Sequence, residues 1–163
     1  MGNHVDPIFN AHFSLVTCNQ LETNLQLKTH DKRTGNTLVR FSLEGSELMY
    51  DIVKTKEGYD ITLTRGDSLP LQLTNLRKND QPYTPDPEDA IRFAMKRKYK
   101  DPDTEVVLVK EISPDTLILN IEPEDTKELP MGKTFVYDIE ITDKYGFVST
   151  FIEGDFTIGK EVM

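Results

Sequence analysis

The chain has 163 residues, with 28 Asp and Glu against 19 Lys and Arg and a formal net charge of −9, which argues against sequence-independent binding to a phosphate backbone. Hydrophobic residues make up 37% and charged residues 29%, enough apolar material to bury a core in one domain, or in one domain with an extension. Cys18 is the only cysteine, so an internal disulfide is excluded and packing must hold the fold.

Residues 1–20 have no basic start, apolar run or small-residue cleavage site of the kind a secretory signal shows. No stretch approaches the roughly 18 apolar residues of a membrane span, and Asp6 stands where a myristoylation motif needs Ser or Thr. Neither a membrane nor a nucleic acid is expected as partner. The charge is uneven: residues 1–57 hold 6 Lys and Arg against 7 Asp and Glu, whereas residues 58–163 hold 13 against 21. That contrast predicts a boundary near Lys56-Glu57-Gly58, with an amino-terminal arm or small β subdomain over 1–57 and a main domain over 58–163.

Taken in order, Met1–Asn10 is short and polar and reads as an arm. Phe13–Cys18, Leu21–Lys28, Thr37–Leu43 and Glu47–Lys54 are candidate strands, separated by the Thr29–Asn36 turn and ended by the charged turn at 54–58. Tyr59, Ile61 and Leu63 alternate with Asp60, Thr62 and Thr64, the period of a half-buried strand. After Arg65-Gly66-Asp67 the same period continues through Leu69, Leu71 and Leu73, with Pro70 marking an edge strand or a strand start. Asn79–Pro87 reads as a loop.

Asp89–Lys100 is ambiguous. Acidic residues and prolines ahead of it suit a helix start, yet Ile91, Phe93, Met95 and Tyr99 alternate with Arg92, Lys96 and Lys98 as in a strand. Thr104–Ile112 and Thr116–Ile121 are rich in Val, Ile and Leu and read as strands, and Pro123–Leu129 is one helical turn at most. Lys133–Lys160 carries the clearest pattern: Phe135, Tyr137, Ile139 and Ile141 on one face, Asp138, Glu140 and Thr142 on the other. It turns at Asp143-Lys144-Tyr145-Gly146, returns over Phe147–Ile152, and resumes after Glu153-Gly154 with Phe156 and Ile158. Short strands roughly every ten residues predict an all-β fold, an antiparallel immunoglobulin-like sandwich of about seven strands with a β-rich amino-terminal extension.

The order of features in residues 58–163 resembles a small β-sandwich of tailed-bacteriophage and prophage structural proteins. The matching residues are Thr64-Arg65-Gly66-Asp67-Ser68, Ala90-Ile91-Arg92-Phe93, Asp115-Thr116-Leu117 and Pro123–Leu129. Gly132, Val136–Glu140, Gly146 and Glu153–Ile158 complete the series. More faintly, Thr29-His30-Asp31-Lys32 followed by Leu38-Val39-Arg40-Phe41 is similar to the amino-terminal domain of a baseplate upper protein. The resemblance implies that Ile91–Tyr99 is a strand, that Arg65-Gly66-Asp67 is a turn before a strand, and that the protein has a virion role.

Other motifs have plainer readings. As a tripeptide, Arg65-Gly66-Asp67 occurs by chance, and its glycine and aspartate suit a turn better than integrin binding. His4, His12, Cys18 and His30 lack the tight spacing of zinc ligands. Asp80, Asp86, Glu88 and Asp89, with Asp101, Asp103 and Glu105, have no EF-hand spacing and read as solvated loops. Arg92, Lys96, Lys98 and Lys100 form a basic row, either a guarded sheet edge or a patch complementary to an acidic neighbour.

No nucleophile–base pair, phosphate loop or metalloprotease motif occurs, so no enzyme activity and no cofactor are expected. The expected function is a structural or assembly role in the tail, baseplate or neck of a virion made in the bacterial host cytoplasm. It would act by contacts with other virion proteins and with copies of itself, and the candidate interaction residues are Arg92, Lys96, Lys98, Leu38, Arg40 and Phe41. The alternative is a carbohydrate-binding or host-recognition module using tyrosines such as Tyr83, Tyr99 and Tyr145.

Overall fold

A computed structural model describes residues 9–15, 37–39, 50–54 and 58–160 of the chain. In order these contain β1 (Phe9–Leu15), β2 (Thr37–Val39), β3 (Tyr50–Lys54), β4 (Tyr59–Thr64), β5 (Leu69–Lys78), β6 (Gln81–Pro82), β7 (Ala90–Lys96), β8 (Leu108–Ile112), β9 (Ile118–Ile121), the helical turn α1 (Pro123–Lys127), β10 (Thr134–Thr142) and β11 (Val148–Gly159). The fold is all-β, as the strand spacing predicts.

Two sheets form. The larger runs β2-β3-β4-β11-β10-β7-β8, and in the smaller β5 is flanked by β1 on one side and by β6 and β9 on the other. Neighbouring strands are antiparallel except β4 and β11, which run parallel. The core lies between the sheets, with Phe135, Tyr137, Ile139 and Ile141 of β10 and Ile91, Phe93 and Met95 of β7 facing Leu69, Leu71, Leu73, Leu119 and Ile121. At its centre the rings of Phe93, Tyr137 and Phe156 pack with centroids 5.4 to 6.3 Å apart.

Pairing on both sides makes Asp89–Lys100 a strand: β7 is in register with β10 through Ile91↔Ile141 and with β8 through Ile91↔Ile112. It stops at Lys96, short of the expected Tyr99. The Asp101 carboxylate accepts the Lys98 N–H at 3.0 Å and the Asp101 N–H donates back to the Lys98 carbonyl at 3.1 Å, closing a turn. The strand expected from Thr104 begins only at Leu108, because Asp103–Glu105 is a 3₁₀ turn.

Two bulges explain breaks in the alternation. In β11 the register passes from Ile139↔Ile152 to Glu140↔Thr150, which leaves Phe151 as the extra residue and puts Phe151 and Ile152 both in the interior. The strand therefore runs unbroken through Glu153-Gly154, where a gap was expected. In β5 the register against β1 slips opposite Asn10 and His12. There Asn75 takes a left-handed backbone with φ of 51°, a conformation Asn tolerates, and burial shifts phase from Leu73 to Leu76.

Pro70 sits at the start of β5. Pairing with β1 reaches only as far as Leu71, so no β1 ladder bond needs the missing N–H. Asn79 and Asp80, both at positive φ, make the two-residue turn between β5 and β6.

Of residues 1–57, β1 pairs with β5 and β3 with β4, and Ile52 of β3 is buried in the common core. These strands add to the margins of the sheets of 58–160. The first expected strand begins at Phe9, and its residues 16–18, the expected strand Leu21–Lys28, Arg40 and Phe41 lie outside the described residues. No helix among the described residues is long and apolar enough to cross a membrane.

Candidate functional site

The registers of the larger sheet bring the start of β7 beside the ends of β8 and β10, through Ala90↔Thr142, Ile91↔Ile112 and Thr142↔Val148. The loops 79–89, 113–117 and 143–147 consequently meet at one end of the fold. Asp89, buried just ahead of β7, ties two of them together. One carboxylate oxygen accepts the Tyr83 hydroxyl at 2.6 Å and the Asp86 N–H at 2.8 Å, and the other accepts the Lys144 N–H at 3.0 Å. Burial, then the bond to Asp89, holds the Tyr83 phenol far above its usual range. The Tyr83 ring lies 6.2 Å from that of Phe151, so it is anchored at both ends.

The β10–β11 turn is pinned from within as well. Asp143 Oδ1 accepts the N–H groups of Tyr145 and Phe147 at 2.9 and 3.0 Å. Its N–H donates to the Phe147 carbonyl and its carbonyl accepts the Gly146 N–H, with Gly146 at φ +87°, a conformation glycine takes without a Cβ penalty. Lys144 Nζ lies 3.0 Å from an Asp86 oxygen. The Asp86 carboxyl is held below its usual range first by the Glu88 N–H and then by Lys144, while the Lys144 ammonium is raised chiefly by Asp86. On this anchored tip Tyr145, Phe147 and Val148 are 76%, 60% and 58% exposed. A turn held in this way has little conformational freedom left to lose in any further ordering.

Beside the tip a groove of about 700 Å³ runs down the outer face of the sheet, lined by Arg92, Glu111, Ser113, Glu140, Thr142 and Val148 among others. Arg92 stands opposite Glu111 on β8 and Glu140 on β10, and its ion pair is with Glu140 at 3.2 Å. Carboxylates, a guanidinium and hydroxyls with the exposed Val148 at the rim suit recognition of a polar group flanked by apolar surface.

The sequence-nominated residues separate. Arg92 lies in the groove. Lys96, at the other end of β7, bonds Asp103 at 2.5 Å and the Asp101 carbonyl at 3.3 Å, and its ammonium is raised chiefly by Asp103. Lys98 is exposed in the turn beyond the strand, so the basic row is not one strand face. Leu38 is in β2, opposite Val53, at the sheet margin remote from β8.

The Arg65-Gly66-Asp67 turn is half-buried. Its Gly66 N–H donates to Thr126 Oγ1 at 2.9 Å and its Asp67 N–H to the Thr64 carbonyl at 3.1 Å, which fits a structural turn. Among the described residues no group of three or more His, Cys, Asp or Glu is arranged to hold a metal.

Asp89, which the sequence alone places among solvated loop carboxylates, is instead buried because its oxygens accept three hydrogen bonds from the surrounding loops; Asp143 and Phe147 read from the sequence only as a turn residue and a strand start. The available signal was Asp143-Lys144-Tyr145-Gly146-Phe147, a turn whose apolar residues have no interior to enter. Compared with known proteins, the chain matches no protein-family model and no curated relative.

Proposed function

We propose that this chain is a non-enzymatic structural component of a tailed-phage particle, in its tail, baseplate or neck, acting through protein–protein contacts. The observation that carries the contact reading is the pinned tip, with Tyr145, Phe147 and Val148 held exposed beside a charged groove. The phage assignment rests on the resemblance of the turn and strand residues set out above. The strand order β4-β11-β10-β7-β8 facing β5 and β9 supports an immunoglobulin-like sandwich, a fold whose end loops serve recognition in many settings.

Residues 1–57 contribute by adding strands to sheet edges, and the pairing of β1 along β5 supports that mode, since a neighbouring copy offers the same edge. The test is incorporation of tagged chains into particles. Tyr145→Ser with Phe147→Ser is expected to fold with an unchanged far-ultraviolet spectrum and to be left out of the particle. Normal incorporation of that variant overturns the reading. A carbohydrate-binding role is the second reading, favoured by the exposed Tyr145 ring on the turn that leads into Val148, which lines the groove with Ser113 and Thr142. Specific binding on a glycan array would displace the assembly role.

A further inference from the structure

The larger sheet has an outer face whose negative charge is not balanced from within the described chain. Asp60 of β4, Asp138 of β10, and Glu153 and Asp155 of β11 are exposed or half-buried there, opposite the core residues with which they alternate. Strand pairing brings them together. Asp138 stands directly across from Glu153, and Asp60 accepts the Asp155 N–H at 3.0 Å. Like charges set opposite one another in a sheet are destabilising. None of the four has an ion-pair partner among the described residues.

The nearest cations are engaged elsewhere, Arg92 by Glu140 and Lys96 by Asp103. Arg97, Lys98 and Lys100, exposed in the turn after β7, form no ion pair with these carboxylates. The Asp155 carboxyl is raised by burial and then by Asp60, with no cation opposing. The same turn lays a ring beside the carboxylates. Tyr99 is 59% exposed and lines a shallow pocket with Ala94, Lys96, Val136 and Asp138. Burial, then Glu153, Asp155, Asp138 and Asp60, raise its phenol. A π face among carboxylates suits an organic cation, above all a guanidinium. Among the described residues no three acidic groups are arranged to hold a metal ion.

The face has a second concavity. Arg92, four residues before Lys96 on β7 and about 13 Å away, lines the larger groove, where exposed Glu111 has no ion-pair partner among the described residues. An extended chain presents every fourth side chain on one side at that same spacing.

We propose that the outer face of the larger sheet docks an extended basic segment of a partner protein. One Arg or Lys of the segment stacks on Tyr99 among Asp60, Asp138, Glu153 and Asp155, and a second, four residues away, meets Glu111 in the groove. Charge complementarity selects the partner, and a bound cation relieves a repulsion that the free chain carries. The inference rests on the contact role proposed above and extends it to a surface other than the tip.

Fluorescence anisotropy with the full chain tests it, the probe being a labelled, otherwise uncharged peptide with two arginines four residues apart. The wild type is expected to bind it at low ionic strength and to release it in about 1 M salt, where the Debye length is about 3 Å. A peptide of the same composition with adjacent arginines, which point to opposite sides of an extended chain, is expected to bind roughly tenfold more weakly. Asp138→Asn with Asp155→Asn is expected to weaken binding roughly tenfold or more while raising the melting temperature, a pairing of effects that a purely structural role does not give. Tyr99→Ser is expected to weaken it roughly two- to fivefold.

A wild type that ignores the peptide at low ionic strength overturns the proposal, as does equal affinity for the two peptides or binding indifferent to the Asn substitutions. Binding that emerges only with Lys32→Ser and Arg33→Ser also overturns it, in favour of the chain's own basic residues as occupant. Self-association abolished by the Asn substitutions does so in favour of a second copy. Tyr145→Ser with Phe147→Ser is expected to bind the peptide as the wild type does. If that variant enters particles while the peptide binds as described, the assembly reading falls and this contact stands. If it is left out of particles and the wild type ignores the peptide, the reverse holds.

Discussion

Asp89 accepts hydrogen bonds from Tyr83, Asp86 and Lys144, groups that share no local pattern, and it does so almost out of reach of water. Removing a buried acceptor strands its donors, at about 1–3 kcal/mol for the groups left unmade. Asp89→Ala is therefore expected to cost about 2–3 kcal/mol, read as a lower denaturation midpoint, and Asp89→Asn distinctly less because one oxygen remains. Gly154 is a different kind of constraint. A Cβ there would stand 2.1 Å from the Tyr59 carbonyl oxygen, which itself receives the Tyr137 hydroxyl. The neighbour in the way is backbone and cannot swing aside, so Gly154→Ala is expected to destabilise by about 1–3 kcal/mol, measured in the same way.

Along β10 and β11 the outer face sets carboxylates near one another. The Asp138 carboxyl is held above its usual range, first by burial and then by Glu140, with Lys96 and Arg92 working against the rise. Asp155 is raised by burial and then by Asp60. A raised carboxyl means that the folded chain binds more protons than the unfolded one between the ordinary and the raised value, so stability falls as pH rises through that window.

The penalty is complete above the raised value and absent below the ordinary one. Asp138→Asn is thus expected to raise the melting temperature at pH 7, with the gain fading as pH drops through the raised value and gone below about 4. Asp86 and Asp103 act in the opposite sense. Lowered respectively by the Glu88 N–H and by Lys96, they contribute stability above the ordinary carboxylate value that is lost as pH falls through their lowered values. A pH series of thermal melts on wild type and variant separates the two contributions.

At the scale of the whole molecule one core serves both sheets. Phe156, fully buried on β11, meets Phe93 of β7 and Tyr137 of β10 edge-on. Phe156→Ala is expected to cost about 3–5 kcal/mol. Because Ile52 belongs to the same core, the loss is expected as one cooperative transition seen alike by tyrosine fluorescence and far-ultraviolet circular dichroism. The fold was more legible than the site. Strands β4, β9 and β10 announce themselves through period-2 alternation or β-branched runs, but Phe151-Ile152 breaks that period, and only the two-against-one register of β11 accounts for it. At the site, Arg92 was readable as an exposed cation on a strand, whereas Phe147 looked like the first residue of the returning strand and proved to be part of an exposed tip.

By itself the sequence determined that this is a β protein without an internal disulfide, acidic toward its carboxy-terminal part, with turns at Gly66 and Gly146, because periodicity, cysteine count and turn chemistry are local properties of the chain. Only the tertiary structure decided that the strand within Asp89–Lys100 ends at Lys96, that Arg92 belongs to Glu140 48 positions away, and that Asp89 reaches Lys144 55 positions on. Those outcomes depend on which strands become neighbours. Cross-strand pairing and shared burial set that, and no window of consecutive residues contains it.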